Sequence, residues 1–169
     1  MQNINFILLK LGKFINLVAR WPGCTHDSHI FRTSQIKDYL EKHHTSLEDG
    51  IILGDSGYAL KPYLMTPYLN PITAKERAFN RALRKTRVLI EQVFGRWKRR
   101  FHLLHSEIRM KPEKVCLLIG ACAILQNIAI MFNEPEEDRD VDQEEPEVEA
   151  HDGQDTGRKI REHITNNFF

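Results

Sequence analysis

The sequence is poor in cysteine and nearly balanced in charge. Its 169 residues include only three cysteines, Cys24, Cys116 and Cys122, and none of them forms a Cys-x-x-Cys pair. An odd count without paired spacing argues against a disulfide framework and a zinc ribbon, and it favours a reducing compartment. The formal net charge of +1 does not by itself point to any class of partner.

The chain also lacks the features of a secretory leader. The apolar run at residues 4–9 is followed by Lys10 and Lys13, and no small-residue cleavage site follows it, so we expect no signal peptide. Residues 115–132 are apolar enough to raise a membrane-spanning alternative, but they include Gln126 and Asn127. Because amides are costly in lipid, we predict a fully buried core helix there and no membrane partner.

Charge is concentrated in two segments of opposite sign. Residues 77–114 hold twelve basic side chains against three acidic ones, whereas residues 134–155 hold twelve acidic side chains against Arg139 alone. The second composition cannot bury a core, so we predict a disordered acidic linker over residues 134–157. The alternative is that this acidic segment mimics DNA and covers the basic segment of the same chain.

Short apolar runs predict strands in the first third of the chain. Residues 4–9 and 14–19 are expected to pair around a tight turn at Gly12, and the second strand should end at Pro22. Residues 51–53 have the pattern of a short buried strand. Helices are expected both between and after these strands, which favours an α/β domain over residues 1–133 with helices covering a sheet.

Four helices follow from capping signals and helical spacing. One is predicted from Asp27 or Ser28 to about His43. A second opens at a Thr-x-x-Glu capping box over residues 73–76. A third opens at Pro112. A short amphipathic helix is predicted over residues 158–169, with Ile160, Ile164 and Phe168 on its apolar face. The buried positions predicted for the first two are Phe31, Ile36, Tyr39, Leu40, Leu83, Ile90, Phe94, Trp97, Phe101 and Leu104.

Three acidic residues stand where a metal site could form. Asp27 and Asp55 each follow a predicted strand end, and Glu91 lies beside the apolar face of the long helix. Carboxylate oxygens are the ligands that Mg²⁺ prefers, and two such ions can support phosphodiester cleavage. Each acid also has an ordinary explanation: Asp27 as a helix cap, Asp55 as a turn residue, and Glu91 as the partner of Arg87.

Basic residues of the long helix are candidates for phosphate contacts. We single out Arg84, Lys85, Lys98, Arg99 and Arg100. Lysines and arginines on a helix are most often a solvated face. Their proximity to the acids nevertheless favours neutralisation of DNA phosphates, with little sequence preference.

An ordered series of motifs resembles the Harbinger transposase-derived nucleases, the PIF/Harbinger branch of the DDE endonucleases. The motifs are Trp-Pro-Gly-Cys-Thr-His-Asp-Ser from residue 21, Gly-Asp-Ser-Gly-Tyr from residue 54, Leu-Met-Thr-Pro from residue 64, Phe-Asn at 79–80, Ile-Glu at 90–91 with Phe-Gly-Arg-Trp-Lys from 94, and Cys-Ala-Ile-Leu-Gln-Asn from 122. Together they are specific, although each alone is weak.

The resemblance implies a ribonuclease-H-like mixed sheet flanked by helices, with a divalent cation, Mg²⁺ or Mn²⁺, as cofactor. Asp55 then resembles the second Asp of the catalytic triad, Glu91 its Glu, and Asp27 a further metal-proximal Asp. Nothing in the chain matches the family's first Asp. We therefore expect a domain that is incomplete at its N-terminus, with impaired nuclease activity.

The basic cluster at residues 96–100 is a candidate nuclear-import signal, so we expect a nuclear protein, with the cytoplasm as a second location. DNA is the expected partner, together with a separate DNA-binding protein as a further candidate. A catalytically inactive, domesticated transposase that acts as a DNA- or protein-binding module is the alternative function.

Overall fold

A computed structural model describes residues 2–8, 12–22, 25–105, 107–134 and 155–169, which belong to two compact units. The first unit comprises Met1–Ile30 and Val88–Glu144, and the second comprises Phe31–Arg87 and Glu145–Phe169. The elements are β1 (Gln2–Leu8), β2 (Phe14–Pro22), α1 (Asp27–Arg32), α2 (Gln35–His43), β3 (Ile52–Leu53), β4 (Leu64–Met65), α3 (Ala74–Arg100), α4 (Pro112–Met131) and α5 (Asp155–Phe168).

The first unit is built on an antiparallel pair, β1 and β2, against which α4 packs through β2. The predicted pairing of the first two strands is thereby confirmed. Gly12 precedes β2 with φ of 78°, and a Cβ placed there would come within 2.9 Å of Val93 Cγ2. The backbone conformation and the close approach of Val93 both require glycine at this position.

An aromatic core fills the first unit. Trp97 of α3 is 1% exposed, and its ring centroid lies 4.9 Å from that of Phe14. The buried cluster is completed by Ala19 of β2 and by Ile119, Cys122 and Ala123 of α4. The core thus joins Phe14, the first residue of β2, to Trp97 in the last turn of α3. The predicted burial of Trp97 is confirmed.

Asn127 holds α4 to β2 through the backbone of one residue. Its Oδ1 accepts the N–H of Phe14 at 2.8 Å, and its Nδ2 donates to the carbonyl of Phe14, also at 2.8 Å. The neighbouring Gln126 is 1% exposed. Both amides of the apolar run therefore lie on the face of α4 that packs inward.

The prediction of a fully buried α4 is wrong. The helix is long and apolar enough to cross a membrane by length and composition alone, but only 28% of its apolar window is buried. Ile119, Cys122, Ala123, Gln126 and Ala129 face inward, whereas Leu117 and Met131 are 76% and 66% exposed. The described residues cover one side of α4, and the side chains on its other side are also apolar but are exposed.

We expect the two described cysteines to react at different rates. Burial raises the pKa of the Cys122 thiol, whereas Cys116 is only partly buried. Since the thiolate is the nucleophile, iodoacetamide at pH 8 should alkylate Cys116 at least about 10-fold faster. Peptide mass spectrometry over time measures both sites, and equal rates in the folded protein would contradict the packing of α4.

The second unit is organised around a short parallel pair, β3 and β4. The strand predicted at residues 51–53 is confirmed, at Ile52–Leu53. The capping box of α3 also forms as predicted: Glu76 Oε2 accepts the N–H of Thr73 at 2.8 Å, and Thr73 Oγ1 accepts the N–H of Glu76 at 3.1 Å. The N–H groups of Thr73 and Ile72 both donate to the Glu76 carboxylate, and they hold its pKa below its usual range.

Helix α5 closes the core of the second unit. Ile164 packs with Leu60, Met65, Phe79 and Leu83. Its helical character and the inward position of Ile164 follow the prediction. Phe168, however, is 71% exposed, so the predicted apolar face ends one turn early.

Three further predictions need correction. The single helix expected from residue 27 to 43 is broken into α1 and α2, because Ser34 leaves helical geometry and its Oγ accepts the N–H of Lys37 to cap α2. Tyr39, expected inside, is 57% exposed. Phe101 and Leu104 lie beyond the end of α3. Phe101 precedes a 3-10 turn at His102–Leu104, and Leu104 is the last residue of that turn.

The sheet also differs from the predicted mixed sheet. The described strands form two separate two-stranded sheets, one antiparallel and one parallel. Most of the predicted acidic linker, residues 135–154, lies outside the described residues, as do Gly23 and Cys24 of the tryptophan motif.

Candidate metal and nucleic-acid site

Asp55 lies immediately beyond the carboxyl end of β3. The strand is held in place because Ile52 N–H donates to the carbonyl of Tyr63 at 2.8 Å and Gly54 N–H donates to the carbonyl of Met65 at 2.9 Å. The parallel pairing thus continues through Gly54 and fixes the backbone at the residue before Asp55. Carboxyl ends of parallel strands are common sites for ligand-binding side chains.

The side chain of Asp55 is oriented by a tight turn. Its Oδ1 accepts the N–H of Gly57 at 2.9 Å, and its carbonyl accepts the N–H of Tyr58 at 3.3 Å. Asp55 is therefore a turn residue, as one reading of the sequence had it, and the side chain is half-buried. Among the described residues this turn engages Oδ1, which leaves Oδ2 as the oxygen available to a cation.

Asp27 and Glu91 both belong to the first unit. Asp27 is the exposed first residue of α1, and the carbonyl of the preceding His26 accepts the N–H groups of His29 and Ile30. Glu91 is half-buried in α3, two residues before the buried Val93. Glu91 thus stands beside the apolar face, as its position in the sequence predicts.

Within the described ranges, no group of three or more His, Cys, Asp or Glu side chains is arranged to hold a metal ion. The donor chemistry of Asp55 fits one ligand of a divalent-cation site, because a half-buried carboxylate oriented by a backbone N–H is a hard and pre-organised oxygen donor. The assignment of Asp27, Asp55 and Glu91 to one site stays a prediction.

The predicted phosphate-binding residues all lie on α3. Arg84, Lys85 and Lys98 are exposed, and Arg99 and Arg100 are half-buried. Arg100 forms an ion pair with Glu134, the first acid of the acidic segment. Arg100 is therefore already engaged by a carboxylate of the same chain.

Arg161 of α5 has a role in the second unit that the sequence did not reveal. Its guanidinium donates to the carbonyls of Thr66 and Pro67, each at 3.1 Å, and lies 4.0 Å from the centroid of the Tyr68 ring. Burial lowers the pKa of this guanidinium. These contacts hold residues 66–68, which directly follow β4, against α5.

Asn80 of α3 holds the same segment from another side. Its Oδ1 accepts the N–H of Tyr68 at 2.9 Å, and its Nδ2 donates to the carbonyl of Tyr68 at 2.8 Å. The Phe-Asn step at 79–80 was noticed only as part of the resemblance. The spacing of a polar residue beside a buried Phe79 was the signal that could have suggested an inward amide.

Comparison with protein families places most of the chain in one group. The model of the DDE superfamily endonucleases matches residues 3–127. This stretch includes Asp27, Asp55 and Glu91 and ends at Asn127, whose amide holds Phe14. No solved structure matches the chain.

Relatives come from animals and plants. The HARBI1 proteins of Mus musculus and Homo sapiens, which are named as candidate nucleases, are 32% and 31% identical over 123 and 122 residues. Each match covers 70% of this chain and 34% of the relative. An ALP1-like protein of Arabidopsis thaliana is 27% identical over 155 residues, which is 83% of this chain and 36% of the relative. The chain thus spans about a third of the length of these relatives.

Proposed function

Because the chain belongs to the DDE superfamily endonucleases, in the branch derived from Harbinger transposases, we propose that it contributes to divalent-metal-dependent cleavage of DNA phosphodiester bonds. The observation that carries this proposal is Asp55. It lies at the carboxyl end of β3 with one carboxylate oxygen fixed by Gly57 N–H and the other available to a cation. The matching region of the family includes this residue.

In this proposal Asp55 and Glu91 are the catalytic carboxylates, and Asp27 is a further metal ligand. Divalent cations bound there would activate water and stabilise the leaving oxygen of the cleaved phosphodiester. The contribution of this chain is to fix the carboxylates. Asp55 is fixed by its turn, and Glu91 is fixed by a helix whose next inward residues, Val93 and Trp97, are buried.

The cleavage rate of the isolated polypeptide is expected to be low. No residue matches the family's first Asp, so fewer carboxylates would neutralise the cations and metal affinity should fall. Supercoiled plasmid incubated with Mn²⁺ or Mg²⁺ tests the proposal, with a chelator as the blank. Rapid nicking that survives replacement of Asp55 would contradict the assignment of the site.

A DNA-binding module without catalysis is the second candidate. It is favoured by the exposure of Arg84, Lys85 and Lys98 along α3. Such a module would retain the basic surface and act in the nucleus, with a separate DNA-binding protein as a further partner. Metal binding separates the two candidates, because the module requires none.

Either candidate predicts DNA binding that weakens steeply with salt. Four or five phosphate contacts correspond to an affinity loss of about 100- to 500-fold between 50 and 200 mM salt, because each contact releases counterions. Replacing Lys98 and Arg99 with alanine should reduce the slope of log affinity against log salt by about 2. Fluorescence anisotropy with a labelled duplex measures both quantities.

The matched control replaces Lys42 of α2 and Lys159 of α5, two exposed lysines outside α3, with alanine. The salt slope of this variant should equal that of the parent chain. A control slope that falls as far as that of the α3 variant would mean that binding is spread over the whole surface.

A further inference from the structure

Helix α4 has two apolar faces, and the described residues cover only one of them. The inward face is formed by Ile119, Cys122, Ala123, Gln126 and Ala129. On the opposite face the large side chains are exposed: Leu117 at 76%, Ile124 at 63%, Leu125 at 52%, Ile128 at 42% and Met131 at 66%. Apolar side chains at this density are not scattered singly, so the outer face is a continuous patch.

The outer face follows the spacing of a helix-pairing seam. Its central positions are separated by alternating steps of four and three residues: Leu117, Ala121, Ile124, Ile128 and Met131. All five are exposed. These steps keep the five side chains on one stripe of the helix, which a partner helix can contact along its whole length.

The patch is large enough for a stable interface. With Phe132, which is 76% exposed, the exposed large side chains of the outer face present on the order of 600–700 Å². The largest apolar patch of a typical monomer is about 300–600 Å², and a standard interface buries about 800 Å² on each partner. A rim of neighbouring residues would supply the remainder.

We propose that the outer face of α4, the seam from Leu117 to Met131, pairs with the same seam of a second copy of this chain. A seam with a repeating period is complementary to itself, and an isologous pair of helices closes without leaving a free face. A lipid surface is less suitable, because the opposite face of α4 is joined to β2 through both backbone groups of Phe14 and could not be surrounded by lipid.

Charge at the two ends of the seam selects an antiparallel pair. Lys114 is exposed and continues the same spacing, one step before Leu117. In a parallel pair the two Lys114 ammonium groups would face each other. In an antiparallel pair each Lys114 lies instead beside the last carbonyls of the other α4, and the dipole of that helix favours a cation there.

The test is the mass of the whole chain in solution. Light scattering after gel filtration at 5–100 µM should give twice the chain mass of 19.8 kDa. Ile124 is at the centre of the seam, so Ile124→Glu should weaken self-association by about 30-fold or more, as expected for a central interface residue. Circular dichroism of both proteins establishes that the variant remains folded.

The matched control is Leu89→Glu, which introduces the same charge at a leucine that is 45% exposed on α3, outside the seam; it should remain dimeric. A monomer at 100 µM would overturn the proposal, as would equal loss of the dimer in both variants. Co-flotation of the chain with neutral phosphatidylcholine vesicles, in place of dimer formation, would assign the outer face to a lipid surface instead.

Discussion

Replacing Asp55 with asparagine is expected to abolish detectable Mn²⁺ binding while the second unit stays folded. Asparagine retains an Oδ1 that can accept the N–H of Gly57, so the turn bond of 2.9 Å survives. The substitution removes the negative charge that a hard cation requires. We therefore expect the affinity for Mn²⁺ to fall on the order of 100-fold or more. Isothermal titration calorimetry measures this loss directly.

Asp49→Asn is the matched control for this experiment. Asp49 is also an aspartate whose carboxylate accepts backbone N–H groups, those of Thr45 and Ser46 at 2.8 and 3.0 Å, and it is fully exposed. Loss of its charge should leave the Mn²⁺ signal unchanged. If Asp55→Asn binds Mn²⁺ as tightly as the parent chain, Asp55 is a structural turn residue and the metal assignment fails.

Removing the amide of Asn127 is expected to cost about 2–3 kcal/mol of unfolding free energy. Asn127→Ala deletes both hydrogen bonds to Phe14, each 2.8 Å long. These bonds are the polar link between α4 and the start of β2, next to the buried Trp97. For a chain of this size such a loss corresponds to a fall of about 4–10 °C in Tm. Thermal unfolding followed by circular dichroism measures it.

Asn167→Ala is the appropriate control, because Asn167 is exposed and, among the residues that the structure describes, its amide bonds only to His163, one turn earlier in α5. Its Tm should change by no more than the effect of about 0.5 kcal/mol that is usual for surface positions. If Asn127→Ala unfolds at the parent temperature, the attachment of α4 to β2 in solution differs from the one described here.

Local signals predicted the elements that depend on local interactions. The Thr73–Glu76 capping box forms with both of its hydrogen bonds, because its partners are only three residues apart. The start of α4 at Pro112 was predicted for the same reason. The break between α1 and α2 was missed, because helical spacing continues through Thr33 and Ser34 and does not register that the Ser34 hydroxyl caps a new helix.

Long-range packing could not be predicted in the same way. The composition of α4 indicates burial but does not say how much partner surface exists, so one of its faces was wrongly expected to be covered. The double hydrogen bonds of Asn80 and Asn127 join residues 12 and 113 positions apart. No periodicity in the sequence relates such pairs.

The sequence predicted the local position of each candidate carboxylate, but it did not establish whether these carboxylates lie together. Asp55 was expected at a strand end and lies there, because the apolar run of β3 and the glycine that follows it are local features. Glu91 lies beside the inward face of α3, as its spacing from Trp97 predicts. Whether these carboxylates share a cation depends on contacts that neither pattern encodes.

The uninterrupted α3 also constrains how any DNA could lie on this molecule. Glu91 and Arg99 belong to one helix, so they are separated by eight residues, a rise of about 12 Å and a rotation of about 80° around the axis. Under the proposed function, in which Glu91 is catalytic and Arg99 contacts a phosphate, helical geometry would set the distance from the cleaved bond to that phosphate, whatever the DNA sequence. A single residue inserted between them would rotate Arg99 by about 100° around the axis relative to Glu91, and under the proposed function cleavage would shift to another phosphate or stop.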